Sequence, residues 1–269
     1  MITMSGRELA DSIKDQLKIK LDSFDIKPKL TVIQIGENVA SSKYIAMKRK
    51  ACDLLGIDFD HLQLEADIAD EQVTRMIAEL NLDDSITGII VQLPLPESFQ
   101  TDYILESISP YKDVDGLTAE NIGRLAKGSD GLFPATAEGV INLLRYYKIP
   151  MTGVNAVVLG RSNLVGKPIA QMLLTEGATV TICHSKTPDI SIYTSKADII
   201  ISAVGKTNLL TAEMVKDGAV VVDVGIDVDF EGVSTVAGYI TPAIGGVGPM
   251  TVAMLLSNVV KAAKMQKEE

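Results

Sequence analysis

"VVLGRSNLVGKP" runs from Val157 to Pro168, and its reading decides the fold. An apolar, partly β-branched run leads into Gly160, and a helical pattern follows from Gly166. A glycine turn between a strand and a helix is a phosphate-binding context, because the N–H groups of the first helical turn face the ligand. Gly160 permits the tight turn, Ser162 is small and can donate a hydroxyl hydrogen bond, and Gly166 lets the helix start close to the strand. The pattern departs from plain G-x-G-x-x-G: a serine replaces the second glycine, and the last glycine comes one residue later. Outward from the turn, "VNAVVLG" reads as a strand and "GKPIAQMLLTEG" as a helix closed by Gly177. "ATVTICH", "ADIIISAVG" and "AVVVDVG" read as further strands, with a helical segment between the last two. The order β-α-β-x-β-α-β predicts a Rossmann-like, doubly wound parallel sheet.

The same stretch bears on the cofactor. NAD sites place an acid about 20 residues beyond the turn, where it holds the ribose 2′-hydroxyl. Here the second strand ends in "TICHSKT", which has no carboxylate and offers Ser185, Lys186 and Thr187 instead. Arg161 lies in the turn itself. Cations and hydroxyls suit a 2′-phosphate, so the expected cofactor is NADP.

The first half also alternates helices and strands. "SGRELADSIKDQLKIKLDSF" opens on Ser5, with Glu8 at the capping-box position. "KLTVIQIG" reads as a strand, 41–55 as a helix closed by Gly56, and "DEQVTRMIAELN" as an amphipathic helix. "ITGIIVQLPLP" is a buried strand stopped by Pro94 and Pro96. "FPATAEGVINLLRYYKIP" reads as a helix capped by Thr136, and "GPMTVAMLLSNVVKAAKMQKEE" as a last helix. Within the 41–55 helix, Tyr44 and Lys48 lie four residues apart and share a face.

At 269 residues the chain can bury a large core and is expected to form two domains. Its net charge of −10 argues against a nucleic-acid or anionic-membrane surface. Two cysteines, Cys52 and Cys183, make no disulfide framework, and with His61 and His184 as the histidines a metal site is not expected. No run reaches the roughly 20 apolar residues of a membrane span. A reducing, cytoplasmic setting is the expectation. His184 is expected at a cofactor rim or in packing, His61 on the surface, and Cys52 packed within its helix.

Several ordered motifs carry a resemblance. "SKYIAMKRKACDLLGI", "GIIVQLPLP", "KDVDGL", "GRSNLVGKP", "VVDVGI" and "ITPAIGGVGPMTVAML" together resemble the bifunctional methylenetetrahydrofolate dehydrogenase/methenyltetrahydrofolate cyclohydrolase family, known as FolD. The resemblance implies two α/β domains with a cleft between them. A folate-binding catalytic domain would comprise 1–135 plus the C-terminal helix 249–269, and the NADP-binding domain 136–248. It implies oxidation of 5,10-methylenetetrahydrofolate with NADP, then hydrolysis to 10-formyltetrahydrofolate, by a homodimer paired through the cofactor domains. The family's catalytic residues fall on Tyr44, Lys48, Gln92 and Asp115. Lys48 would be a general base or proton shuttle, its amine made accessible by lost solvation, and Gln92 would set its protonation state. Tyr44 would orient substrate, and Asp115 would accept hydrogen bonds from the pterin. Leu93, Pro94, Gly246 and Pro249 join these as substrate-binding residues. The implied cofactor site is Gly160, Arg161, Ser162, Val165, Gly166, His184, Ser185, Thr187, Ala203, Val204, Gly205, Gly225 and Ile226.

Three departures bear on the cofactor loops. The family's P-C-T-P-x-G reads Pro134-Ala135-Thr136-Ala137-Glu138-Gly139, its T-P-V-P-G-G carries Ile244, and the segment 226–241 is short. Two rival readings stay open on sequence alone: a shikimate- or quinate-type NADP dehydrogenase, and a catalytically silent NADP-binding regulator.

Overall fold

The computed structural model describes residues 1–24 and 27–267. In chain order the elements begin with β1 (Ile2–Thr3), α1 (Arg7–Leu21), β2 (Lys29–Ile35), α2 (Val39–Leu55), β3 (Asp58–Leu64) and α3 (Asp70–Leu82). β4 (Gly88–Val91), α4 (Thr101–Leu105), α5 (Ala119–Lys127), α6 (Ala135–Tyr146), β5 (Asn155–Leu159) and α7 (Gly166–Thr175) follow. The chain continues through β6 (Thr179–Cys183), α8 (Ser191–Thr194), β7 (Ile199–Ser202), a 3₁₀ turn (Ala212–Met214) and β8 (Val220–Asp223). It closes with α9 (Phe230–Val233), β9 (Tyr239–Ile240) and α10 (Val247–Met265); Glu268 and Glu269, at the end of the expected helix, lie outside the described residues.

The chain divides into two compact units. One comprises Met1–Ser12 and Pro134–Met254, the other Ile13–Phe133 and Leu255–Glu269. In the first, six parallel strands run in the order β1-β9-β8-β7-β5-β6. β5 pairs with β6 on one side and β7 on the other, so the winding reverses at β5, as in a doubly wound sheet. Val157, Leu159, Ile200, Val221 and Ile240 from five different positions of that sheet share one buried cluster. Strands apolar on both faces are what a helix-covered parallel sheet requires. The second unit has a three-stranded parallel sheet in the order β3-β2-β4. Ile33, Ile35, Ile89 and Val91 of this sheet pack with Val73 and Ile77 of α3 and with Ile104 of α4. Each such fully buried aliphatic side chain contributes on the order of 1.5–3 kcal/mol.

Some local expectations need correction. α6 begins at Ala135 behind Pro134, so Thr136 lies inside its first turn and caps nothing. Its hydroxyl accepts instead from Thr251 Oγ1 at 3.2 Å. α1 begins at Arg7, and the Ser5 hydroxyl accepts a long 3.4 Å bond from the Arg7 N–H while donating to the Gly245 carbonyl. β3 was not legible as a strand: Asp58 and Asp60 dilute its β-forming signal, and its alternating exposure marks an edge strand. His61 on β3 is half-buried rather than a surface residue, and its Nε2 bonds Gln34 Oε1 at 3.1 Å. No described helix is long and apolar enough to cross a membrane.

Candidate functional site

α2 carries Tyr44 and Lys48. The Asn38 side chain caps its start by accepting from Ser41 N at 3.0 Å, and Gly56 ends it at φ 74°. Ser41, Ile45, Cys52 and Leu55 are buried along one stripe of the helix. Lys48 occupies the middle place in that stripe, three or four residues from each neighbour, and is half-buried. An ammonium on a core-facing stripe needs a polar partner, and Lys48 Nζ donates to Gln92 Oε1 at 3.1 Å. Tyr44 stays 57 % exposed, one turn away. Cys52 is inert packing: burial, with help from Asp53, pushes its thiol up to about 12.

Gln92 follows β4 directly and continues its ladder, its N–H donating to Ile33 O at 2.8 Å. Its Nε2 donates to the Leu93 carbonyl at 2.8 Å. That bond orients the amide and leaves Oε1 for Lys48. Leu93 and Pro94, joined by a cis peptide bond, continue the same loop.

Asp115 lies in a segment held by its neighbours. Asp113 accepts from Thr118 N (2.9 Å), Thr118 Oγ1 (2.8 Å) and Asn121 Nδ2 (3.0 Å). Lys112 donates to the carbonyls of Leu80 (3.1 Å) and Asp83 (2.8 Å), and burial lowers its pKa. Asn258 of α10 donates to the carbonyls of Val114 (2.9 Å) and Phe133 (2.8 Å). A Cβ on Gly88 would come within 2.6 Å of the Val114 side chain, so glycine there admits the segment against β4. Burial raises the Asp115 pKa; Lys48 pulls it down, and Asp113 pushes it up. Tyr44, Lys48, Gln92, Leu93, Pro94 and Asp115 therefore belong to one unit, with Lys48 in contact with Gln92 and within electrostatic reach of Asp115.

The residues expected to hold the cofactor lie in the other unit, at the carboxyl ends of β5 to β8, where doubly wound sheets bind ligands. Gly160 sits at φ 113°, and a Cβ there would overlap the Ala203 carbonyl. A Cβ on Gly166 would overlap the Gly160 carbonyl. Both glycines are therefore required by the close approach of backbone. The Ser162 hydroxyl accepts from Val165 N (3.2 Å) and Gly166 N (3.4 Å), preorganising the start of α7. After β6, His184 N donates to Thr187 Oγ1 (3.0 Å), Thr187 N to His184 O (2.8 Å) and Lys186 N to His184 Nδ1 (3.1 Å). His184 and Thr187 thus build the turn, while Ser185 and Lys186 stand exposed at its tip, as does Arg161 on the glycine turn. This glycine cradle, with hydroxyl and cationic groups and no carboxylate in the 184–187 turn that follows β6, fits an adenine dinucleotide bearing a 2′-phosphate.

Gly246 and Pro249 fall in the cofactor unit, on either side of the start of α10. Gly246 is closely packed, since a Cβ would lie 2.5 Å from the Pro242 carbonyl. Ile244 points its bulk outward and is 81 % exposed.

The sequence reading missed Asp227. It is fully buried, and its carboxylate accepts from Ser202 Oγ (2.9 Å), Val204 N (2.7 Å) and Lys206 N (2.6 Å). Its own N–H donates to Asp223 Oδ1 at 2.9 Å, while Asp223 Oδ2 accepts from Val228 N at 3.3 Å. Burial raises the Asp223 pKa. A lone aspartate in an irregular loop carries no pattern that would have marked it.

Comparison with known proteins finds two family models. Residues 4–115 match the tetrahydrofolate dehydrogenase/cyclohydrolase catalytic domain, and 134–267 match the NAD(P)-binding domain of the same family. The bifunctional protein FolD of Campylobacter curvus is 47 % identical over 98 % of this chain and 96 % of its own. The crystal structure of the bifunctional methylenetetrahydrofolate dehydrogenase/cyclohydrolase of Campylobacter jejuni is 48 % identical, with a TM-score of 0.96 over 99 % of each chain. That of the Trypanosoma brucei enzyme, complexed with NADP cofactor and inhibitor, is 34 % identical, with a TM-score of 0.95 over 100 % of this chain and 99 % of its own.

Proposed function

The chain belongs to the tetrahydrofolate dehydrogenase/cyclohydrolase family, and on that premise we infer that it oxidises 5,10-methylenetetrahydrofolate with NADP and hydrolyses the methenyl product to 10-formyltetrahydrofolate. NADP, when bound, supplies the hydride acceptor for the substrate's methylene carbon. The glycine turn at Gly160, Ser162 and Gly166 holds its pyrophosphate, with Val165, Ala203, Val204, Gly205, Gly225 and Ile226 beside the rest of it. Arg161, His184, Ser185 and Thr187 form the end that takes the 2′-phosphate.

The observation that carries the catalytic reading is the Lys48–Gln92 hydrogen bond, with Asp115 in the same field. Lys48 relays protons at the folate nitrogens and takes the proton of the attacking water in the hydrolytic step. Gln92 fixes its direction. Asp115 accepts the amino and ring N–H donors of the pterin, so positioning supplies most of the dehydrogenase step. Tyr44, exposed one turn away on α2, orients the substrate, and Leu93 and Pro94 of the same unit line it.

A homodimer paired through the cofactor units is part of the same reading. β6 is an outer strand, and Leu174, Ile182, Ile192 and Tyr193 on and after α7 and β6 expose apolar surface in support of it. A reducing, cytoplasmic setting agrees with two free, buried cysteines.

The test is NADPH formation by the purified protein with 5,10-methylenetetrahydrofolate, NADP and NAD being assayed in parallel. Reduction of NADP that depends on folate, and is weak with NAD, is expected. Faster reduction of NAD would overturn the cofactor assignment, and silence together with failure to hydrolyse added methenyltetrahydrofolate would overturn the enzyme.

A further inference from the structure

We propose that Asp227 is the positioning residue of the cofactor site, tying the loops after β7 and β8 into the one geometry that NADP binds; the inference rests on the cofactor reading above. Three donors converge on its buried carboxylate. Val204 N and Lys206 N come from either side of Gly205, which is held at φ 80°, and Ser202 Oγ comes from the end of β7. The Asp227 N–H is itself held by Asp223, the last residue of β8. The two aspartates thus replace missing strand partners across two adjacent loops.

The residue between those loops shows what this tie withstands. Ile226 is β-branched yet sits at φ 60°, in the left-handed region, and is 58 % exposed. Such a conformation persists only where the surroundings over-determine it. No core contact explains an exposed isoleucine, whereas Asp227 on one side and Gly225 on the other do. A Cβ on Gly225 would lie 2.6 Å from Asp227 Oδ2 and 2.8 Å from Gly205 N, so the loops are packed backbone to backbone around the carboxylate. The groups so fixed, Ala203 to Gly205 and Gly225 to Ile226, are those assigned to the cofactor.

The test separates positioning from bulk stability. In Asp227→Asn the amide keeps one acceptor and turns an N–H₂ towards a backbone donor. In Ser202→Ala one donor of three is lost and the loops keep their other bonds. Each variant is titrated with NADPH by fluorescence and assayed for the KM of NADP and of methylenetetrahydrofolate, with the unfolding temperature of the free protein as control. The expected result is an NADPH Kd and an NADP KM raised at least tenfold in D227N and about threefold in S202A, with the folate KM within twofold of wild type. An unchanged NADP KM in either folded variant would overturn the proposal, as would equal losses in both KM values. If D227N does not fold, S202A decides by the same criterion. Wild-type protein that does not bind NADPH would instead sink the cofactor reading beneath it.

Discussion

Lys48 is a cation set into the buried stripe of α2, and this position explains why its chemistry and its packing can be separated. Lys48→Met fits the stripe and keeps the helix, so the fold is expected to survive with an unchanged circular dichroism spectrum. Hydrolysis of methenyltetrahydrofolate should fall about 10²–10⁴-fold, the usual contribution of a positioned proton-transfer group. Asp115 supplies a test by pH. Folding raises its pKa through burial, so the native state holds a proton at pH values where the unfolded chain has lost it. Stability therefore falls as pH climbs from the ordinary aspartate range through the raised pKa, and stays lower above it. Asp115→Asn removes that dependence, and its unfolding temperature at neutral pH should exceed that of the wild type. Substrate binding runs the other way. The carboxylate is the form that accepts pterin donors, so the folate KM should fall as pH rises through the same window, and the Asn variant should be weak and flat. Part of this was legible in the sequence. The four-residue spacing of Tyr44 and Lys48 put them on one face, but the polar members Ser41 and Lys48 hid the buried stripe that sets the lysine's environment.

At the scale of elements, α10 and the glycine turn each make a claim. Asn258 of α10 satisfies two carbonyls, those of Val114 and Phe133, next to the segment that presents Asp115. Asn258→Ala leaves both without their donor, and chemical denaturation should show a loss of about 1–3 kcal/mol, the cost of an unsatisfied buried group. The folate KM should rise with it. Gly160→Ala forces a side chain against the Ala203 carbonyl at a backbone angle that side chains rarely adopt. It should cost about 1–3 kcal/mol and weaken NADPH binding at least tenfold by isothermal titration. Elements with uniform apolar runs, such as β4, β5, β7 and β8, were legible because both their faces are covered. β3 was not, because an edge strand needs only half a pattern and its aspartates supplied the rest. Thr136 misled because Pro134, whose carbonyl accepts from Glu138 N at 3.0 Å, starts the helix without a capping side chain.

For the whole molecule, sedimentation should give a particle of twice the 28.8 kDa chain. Ile182→Asp, a charge on the exposed outer strand β6, should shift it to a monomer without loss of secondary structure. The doubly wound order was readable from the alternation of elements, since parallel neighbours need crossover connections. The pairing of β1 with β9 was not, because two residues carry no period. That pairing has a consequence in time. Ile2 and Thr3 align with Tyr239 and Ile240, so a strand that leaves the ribosome early has no neighbour until most of the chain has been translated. At about 5–20 residues per second the wait is on the order of ten seconds or more. During it, Met4, wholly buried in the finished protein, is exposed on the nascent chain. Neither compact unit is a continuous stretch of sequence, so each must hold an unfinished edge through synthesis and close only when late residues return to early ones.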